Sequence, residues 1–209
     1  MAEPITRALI AGPAGAIELD VHDPGKAPRG IALIAHPHPP QGGTKDHKVV
    51  TTLAKTFEEL GLIALRPNFR GVGTSEGAYD AGIGETEDLL AVAGYAQSRY
   101  GNLPLTLAGF SFGGAVQTRV ARRIAARHVV LVAPAVTRFP VEPVPPDTLL
   151  IHGELDEVVP LQAVLDRARP QQLPVIVVPG AEHFFHGRLA QLRELVLHYY
   201  RGEESTVLK

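Results

Sequence analysis

Apolar positions along this chain follow two alternating periods. Residues 30–35, Gly-Ile-Ala-Leu-Ile-Ala, are apolar on both faces, as a parallel strand covered by helices on either side must be. Val49, Leu53, Phe57 and Leu60 then recur at helical spacing, between Asp46 as N-cap and Gly61 as stop, which predicts a helix over 47–60. The alternation continues: strands at 62–65, 105–108, 129–132, 148–151 and 175–178, and helices at 85–100, 112–126, 161–168 and 188–200. Ahead of it, segments 5–10 and 16–21 flank Gly12-Pro13-Ala14-Gly15 and predict an antiparallel hairpin at the sheet edge. Residues 66–82 read as a glycine-bearing loop, and 203–209 as a frayed polar tail.

This order of elements implies an α/β fold with a mostly parallel sheet, right-handed crossovers and helices on both faces. Loops that carry chemistry should then gather at the C-terminal edge of the strands. The 209 residues fit one domain, 1–209, that buries roughly 70–75% of its unfolded surface. Residues 134–147, with five prolines, are too few for a substantial cap over that edge.

A formal charge of -2 with mixed signs offers no basic field to nucleic acid and no polybasic patch to acidic lipid. A small-molecule substrate is the expected partner, and nothing in the sequence indicates an oligomeric state. The absence of cysteine removes disulfides, thiolate zinc sites and a cysteine nucleophile together. Glu3 and Pro4 stand where a leader would be basic, and no apolar run reaches 18 residues, so the expectation is a cytoplasmic chain without a membrane span. His36, His38 and His47 have no recognised ligand spacing, so neither a metal nor a cofactor is expected. Gly71 to Gly77 lacks the dinucleotide-loop spacing and reads as a structural turn beside the cleft. Lys45 and Arg70 read as solvated surface charge rather than anchors for an anionic substrate.

The chemistry centres on Gly109-Phe110-Ser111-Phe112-Gly113, a G-x-S-x-G turn between a strand and a helix. In such an elbow the serine takes a strained backbone conformation that exposes its hydroxyl, and side chains at the two glycine positions would collide where strand and helix pass. A serine hydroxyl needs a neutral imidazole to take its proton and a carboxylate to orient that imidazole. Downstream, Asp156 follows one strand and His183 follows the last. Glu154 and Glu157 compete with Asp156, and His186 competes with His183; His152 reads as a structural histidine at a strand end. Phe184 and Phe185 are expected to pack beneath the loop that carries His183.

The elbow, the segment His152-Gly153-Glu154-Leu155-Asp156-Glu157-Val158-Val159-Pro160 and the segment Gly180-Ala181-Glu182-His183-Phe184 together resemble the α/β-hydrolase superfamily over nearly the whole chain. More narrowly, His36-Pro37-His38-Pro39, Gly42-Gly43-Thr44 and Asn68-Phe69-Arg70-Gly71-Val72-Gly73 resemble small uncapped bacterial hydrolases distantly related to dienelactone hydrolases. The resemblance implies Ser111 as nucleophile, Asp156 as acid and His183 as base. Serine replaces the cysteine of dienelactone hydrolases proper, so their substrate does not carry over. An oxyanion hole needs two N–H donors, one expected from Phe112, directly after the nucleophile. For the second, prolines at 37, 39 and 40 leave only His36, His38 and Gln41 between 36 and 41, and His38 is the choice. The expected activity is hydrolysis of a small carboxylic ester or thioester through an acyl-enzyme. The alternatives are a non-catalytic binding protein of the same fold, or the same residues used for acyl transfer or peptide cleavage.

Overall fold

The computed structural model describes residues 5–25 and 27–207, with side chains up to Gly202. Its first two strands, β1 (Thr6–Gly12) and β2 (Gly15–His22), form the predicted hairpin, paired antiparallel from Thr6↔Val21 to Gly12↔Gly15. β2 also runs antiparallel to β4 (Leu62–Pro67). The remaining strands are parallel: β3 (Gly30–Ala35), β5 (Leu105–Phe110), β6 (His128–Val132), β7 (Leu149–Gly153) and β8 (Val175–Val178). The sheet order is β1-β2-β4-β3-β5-β6-β7-β8, so β5 lies near the middle and the hairpin at one edge.

The double-sided apolar runs have a direct structural cause. In β3, Ala32 and Ile34 face α1 (Lys48–Glu59) and α5 (Leu189–Val207), where Leu53, Phe57, Leu192 and Val196 meet them. Ile31 and Leu33 point the other way, to α2 (Ile83–Tyr100) and α3 (Phe112–Ala121), against Leu89, Val92, Phe112 and Val116. Val129, Leu131 and Leu150 continue that second face beneath α4 (Leu161–Ala168). Two-residue periodicity thus becomes two apolar layers on either side of one sheet.

Several boundaries differ from expectation, each for a local reason. α1 is capped by His47, whose Nδ1 accepts from the Val49 N–H, because Asp46 is drawn aside toward Lys45 and Arg66. α2 begins two residues early because the Glu85 carboxylate reaches back to the N–H groups of Gly82 and Asp80. α3 ends at Ala121, where Arg123 and Ile124 both donate to the Val120 carbonyl and tighten the chain into a turn. α5 keeps a helical backbone to Val207, within the segment expected to fray; residues 208 and 209 lie outside the described residues.

Lys45 corrects a further expectation, since its side chain is buried rather than solvated. Its ammonium bonds Asp20 at 2.9 Å and lies 3.4 Å from Glu18, and Arg66 reaches the same Asp20 oxygen at 3.1 Å. Burial disfavours the Lys45 charge, but Asp20 and Asp46 more than offset this and raise its pKa. His22 completes the group, accepting from Arg66 at 3.0 Å and donating to Glu58 at 3.1 Å. Arg70 is likewise committed, with a two-pronged pair to Asp88. The 71–77 turn clasps the hairpin rather than the cleft: Glu76 exchanges bonds with Ala16, and Ser75 Oγ accepts from Glu18 N–H. Residues 133–148, between β6 and β7, contain no helix. Among the described residues no helix is long and apolar enough to cross a membrane.

Candidate active site

β5 ends at Phe110, and the chain reverses into α3 through Ser111 at φ 54° and ψ -117°. Such a conformation is costly for a non-glycine residue and persists only where its surroundings enforce it. Here the Ser111 N–H donates to Val132 O and the Ala135 N–H donates to Ser111 O, each at 3.0 Å, which ties the corner to the end of β6. The flanking glycines are required sterically. A Cβ on Gly109 would lie 2.4 Å from Gly113 O, and one on Gly113 would lie 2.3 Å from Ala35 O.

Two more corners supply the partners. Asp156 follows β7, and its Oδ1 accepts from the N–H groups of Val158 (2.9 Å) and Val159 (2.7 Å), which orients the carboxylate. Its Oδ2 accepts from His183 Nδ1 at 2.7 Å. A carboxylate can only accept, so the His183 proton sits on Nδ1 and Nε2 is left as an acceptor. That nitrogen lies 3.0 Å from Ser111 Oγ. The three side chains are buried, and the last 7% of exposure at Ser111 opens into a cavity of about 280 Å³.

The loops that carry Asp156 and His183 are stitched to one another. Leu155 N–H donates to Ala181 O and Gly180 N–H to the Glu154 carboxylate, both at 2.9 Å. Gly153 permits this approach, because a Cβ there would lie 2.5 Å from Ala181 O. Glu154, a rival for the acid, therefore serves the backbone, and Glu157 makes no contact with His183. His186 is exposed and pairs with Glu182, away from Ser111. His152 is buried and donates from Nε2 to Val159 O at 2.9 Å, beside Asp156.

Directly after Ser111, the first-turn N–H of Phe112 has no intrahelical acceptor. In the loop after β3, the N–H groups of Gln41 and Gly43 both donate to His38 O, which withdraws Gln41 as a competing donor. The His38 N–H donates to no acceptor among the described residues. Its ring is fixed by Tyr79 Oη at 2.9 Å and by Phe112 and Phe139. His36 locks the same loop: Nδ1 donates to Pro37 O at 2.7 Å and Nε2 accepts from the Phe69 N–H at 2.9 Å. Burial pushes its pKa down to about 3, so it stays neutral. His36, His38 and His47 are each engaged separately, and no described group of three or more His, Asp or Glu could hold a metal.

Sequence reasoning missed several cavity residues. His47 stacks on Phe110 at 4.9 Å, and burial pushes its pKa down to about 4. With Nδ1 occupied by the helix cap, its proton resides on Nε2. Phe184 packs against His47 and His183 and stays partly exposed at the cavity wall, contrary to expectation, whereas Phe185 is fully buried as expected. Arg138, from the proline-rich segment, also lines the cavity. Residue type alone carried no signal for these positions, because their facing depends on loop geometry.

A doubly wound sheet with a serine at a strand-to-helix corner, and with Asp and His on the next strand ends, defines the α/β serine hydrolase class. The chain belongs to the family described as Hydrolase_4 (serine aminopeptidase, S33), whose model matches residues 26–146. It is similar to XC6422 from Xanthomonas campestris, an α/β serine hydrolase without a lid, at 35% identity and a TM-score of 0.90 over 96% of each chain. An α/β serine hydrolase homologue from Coxiella burnetii superposes with a TM-score of 0.83 at 40% identity, covering 95% of this chain and 97% of that one. A monoacylglycerol lipase of Mycolicibacterium smegmatis is 27% identical over 81% of this chain, which spans 61% of that protein.

Proposed function

We propose that this protein is a serine hydrolase that cleaves a small carboxylic ester or thioester through an acyl-enzyme. The observation that carries this reading is the continuous chain from Ser111 Oγ to His183 (3.0 Å) and on to Asp156 (2.7 Å), at the floor of an open cavity. Ser111 Oγ attacks the carbonyl carbon as its proton passes to His183 Nε2, and Asp156 stabilises the imidazolium that forms. The N–H groups of Phe112 and His38 hold the oxygen that becomes negative. His183 then protonates the leaving alcohol or thiol. A water that gives its proton to His183 cleaves the acyl-enzyme, and Ser111 recovers its hydrogen as the acid departs. The monoacylglycerol lipase relative supports ester chemistry. Aminopeptidase action fits less well, because an anion would be needed to hold a substrate ammonium group and no carboxylate lines the cavity.

A fluorophosphonate probe tests the proposal. Labelling at Ser111, lost in both Ser111→Ala and His183→Ala, is the expected result. An intact protein that forms no adduct overturns it and favours a binding role for the cavity.

A further inference from the structure

Among the residues lining the cavity, Arg138 alone carries a formal charge. Like several surface arginines, and unlike those held in ion pairs, it is not neutralised by a carboxylate among the described residues. Arg66, Arg70, Arg123, Arg169 and Arg193 each meet a carboxylate, while Arg138 forms no ion pair among the described residues. Its position relative to the nucleophile is fixed by backbone: Ala135 N–H donates to Ser111 O, and Arg138 N–H donates to Ala135 O at 3.4 Å. The exposed Arg138 thus follows one turn after Ala135, the residue bonded to Ser111; burial chiefly lowers the pKa of the neighbouring His38 ring, and the Arg138 charge adds to that.

Two further groups around this space can donate. His47 offers an Nε2–H, and Gln41 adds a side-chain amide. Asp156, behind His183, has its oxygens committed to Val158, Val159 and His183. A small cavity with one unpaired guanidinium and no competing acid matches an anion, and a guanidinium fork fits a carboxylate in two-point contact.

We infer that the cavity selects esters bearing a carboxylate close to the scissile bond, with Arg138 as its counter-charge. This rests on the serine hydrolase reading above. The carboxylate can belong to the acyl part or to the leaving alcohol, and two isosteric substrate pairs separate these sources. Monomethyl succinate is compared with methyl succinamate for the acyl side, and acetoxyacetate with acetoxyacetamide for the leaving side.

In at least one pair kcat/KM for the anion should exceed that of the neutral partner by about tenfold, the worth of a charge-assisted hydrogen bond at a partly open site. Arg138→Gln should lower that anion-to-neutral ratio about five- to tenfold, Arg138→Lys should keep part of it, and Arg138→Glu should invert it. Added salt should shrink the wild-type ratio, because the site is open to water. A ratio at or below one in both pairs, or one unchanged in Arg138→Gln, overturns the inference while leaving the hydrolase reading intact. Failure to cleave all four esters, with no fluorophosphonate adduct at Ser111, removes both.

Discussion

Two buried polar clusters in this molecule use similar residue types for different ends. Under the hairpin, Lys45, Arg66, Asp20, His22 and Glu58 are linked by hydrogen bonds and ion pairs, and none of them lines the cavity beside Ser111. At the C-terminal edge of the sheet, Asp156, His183 and Ser111 are linked as closely, but the chain of bonds ends on a hydroxyl at a cavity floor. The first cluster answers each charge with another and anchors the antiparallel edge to the start of α1. The second leaves one reactive atom with space beside it. Burial of charge is thus no mark of function by itself; what matters is whether the network terminates on solvent-accessible space.

Removing one member from each cluster breaks the comparison in opposite ways. Ser111→Ala should lower kcat on p-nitrophenyl acetate by at least about 10⁴-fold, about 5 kcal/mol or more, with the urea midpoint almost unmoved. Retained turnover would show that the second cluster is structural too. Lys45→Met leaves Asp20 buried without its nearest cation, so unfolding free energy should drop by about 3–5 kcal/mol while kcat/KM of the folded fraction stays within a few fold. A stable variant with impaired catalysis would transfer the hairpin cluster to the functional side.

A smaller effect tests how the elbow is held. Gly113→Ala drives a methyl group into Ala35 O and should cost about 2–3 kcal/mol in urea unfolding, although no charge is altered. Unchanged stability would mean that the strand and helix can part without penalty.

The smallest effect is a pH slope from His36. Its folded pKa of about 3 lies below the unfolded value of 6.5, so the unfolded chain binds the extra proton between these values. The contribution is complete above pH 6.5 and is lost as pH falls toward 3, by at most about 1.4 kcal/mol per unit. Urea midpoints at pH 7.5 and 5.0 should fall further apart in the wild type than in His36→Gln. Equal slopes would rule out a histidine held neutral at this position.

The same contrast explains what was legible in the sequence. β3 was bounded correctly because a strand covered on both sides must be apolar throughout, and the elbow was visible because its glycines are steric necessities. Asp156 and His183 stood in chain order at strand ends, and the structure brings both to Ser111. Lys45 was misread because a lysine's burial depends on partners from β2 and β4, remote in sequence. Asp46 failed as a cap for the same reason, and His47 replaced it. Phe184 and Phe185 are adjacent and chemically identical, yet only one reaches the core, because Phe185 sits at φ 54° in a turn that sequence spacing does not define.

The separation of Ser111, Asp156 and His183 along the chain affects how the protein comes into being. His183 lies 72 residues beyond Ser111 and 27 beyond Asp156, and its loop is fixed only when β8 pairs with β7. Contacts of such long range close late in folding. A chain emerging from the ribosome therefore lacks the Ser111–His183 hydrogen bond until its final strand docks. Recovery of turnover during refolding should consequently trail the return of helical signal, making activity a clock for the last step of assembly.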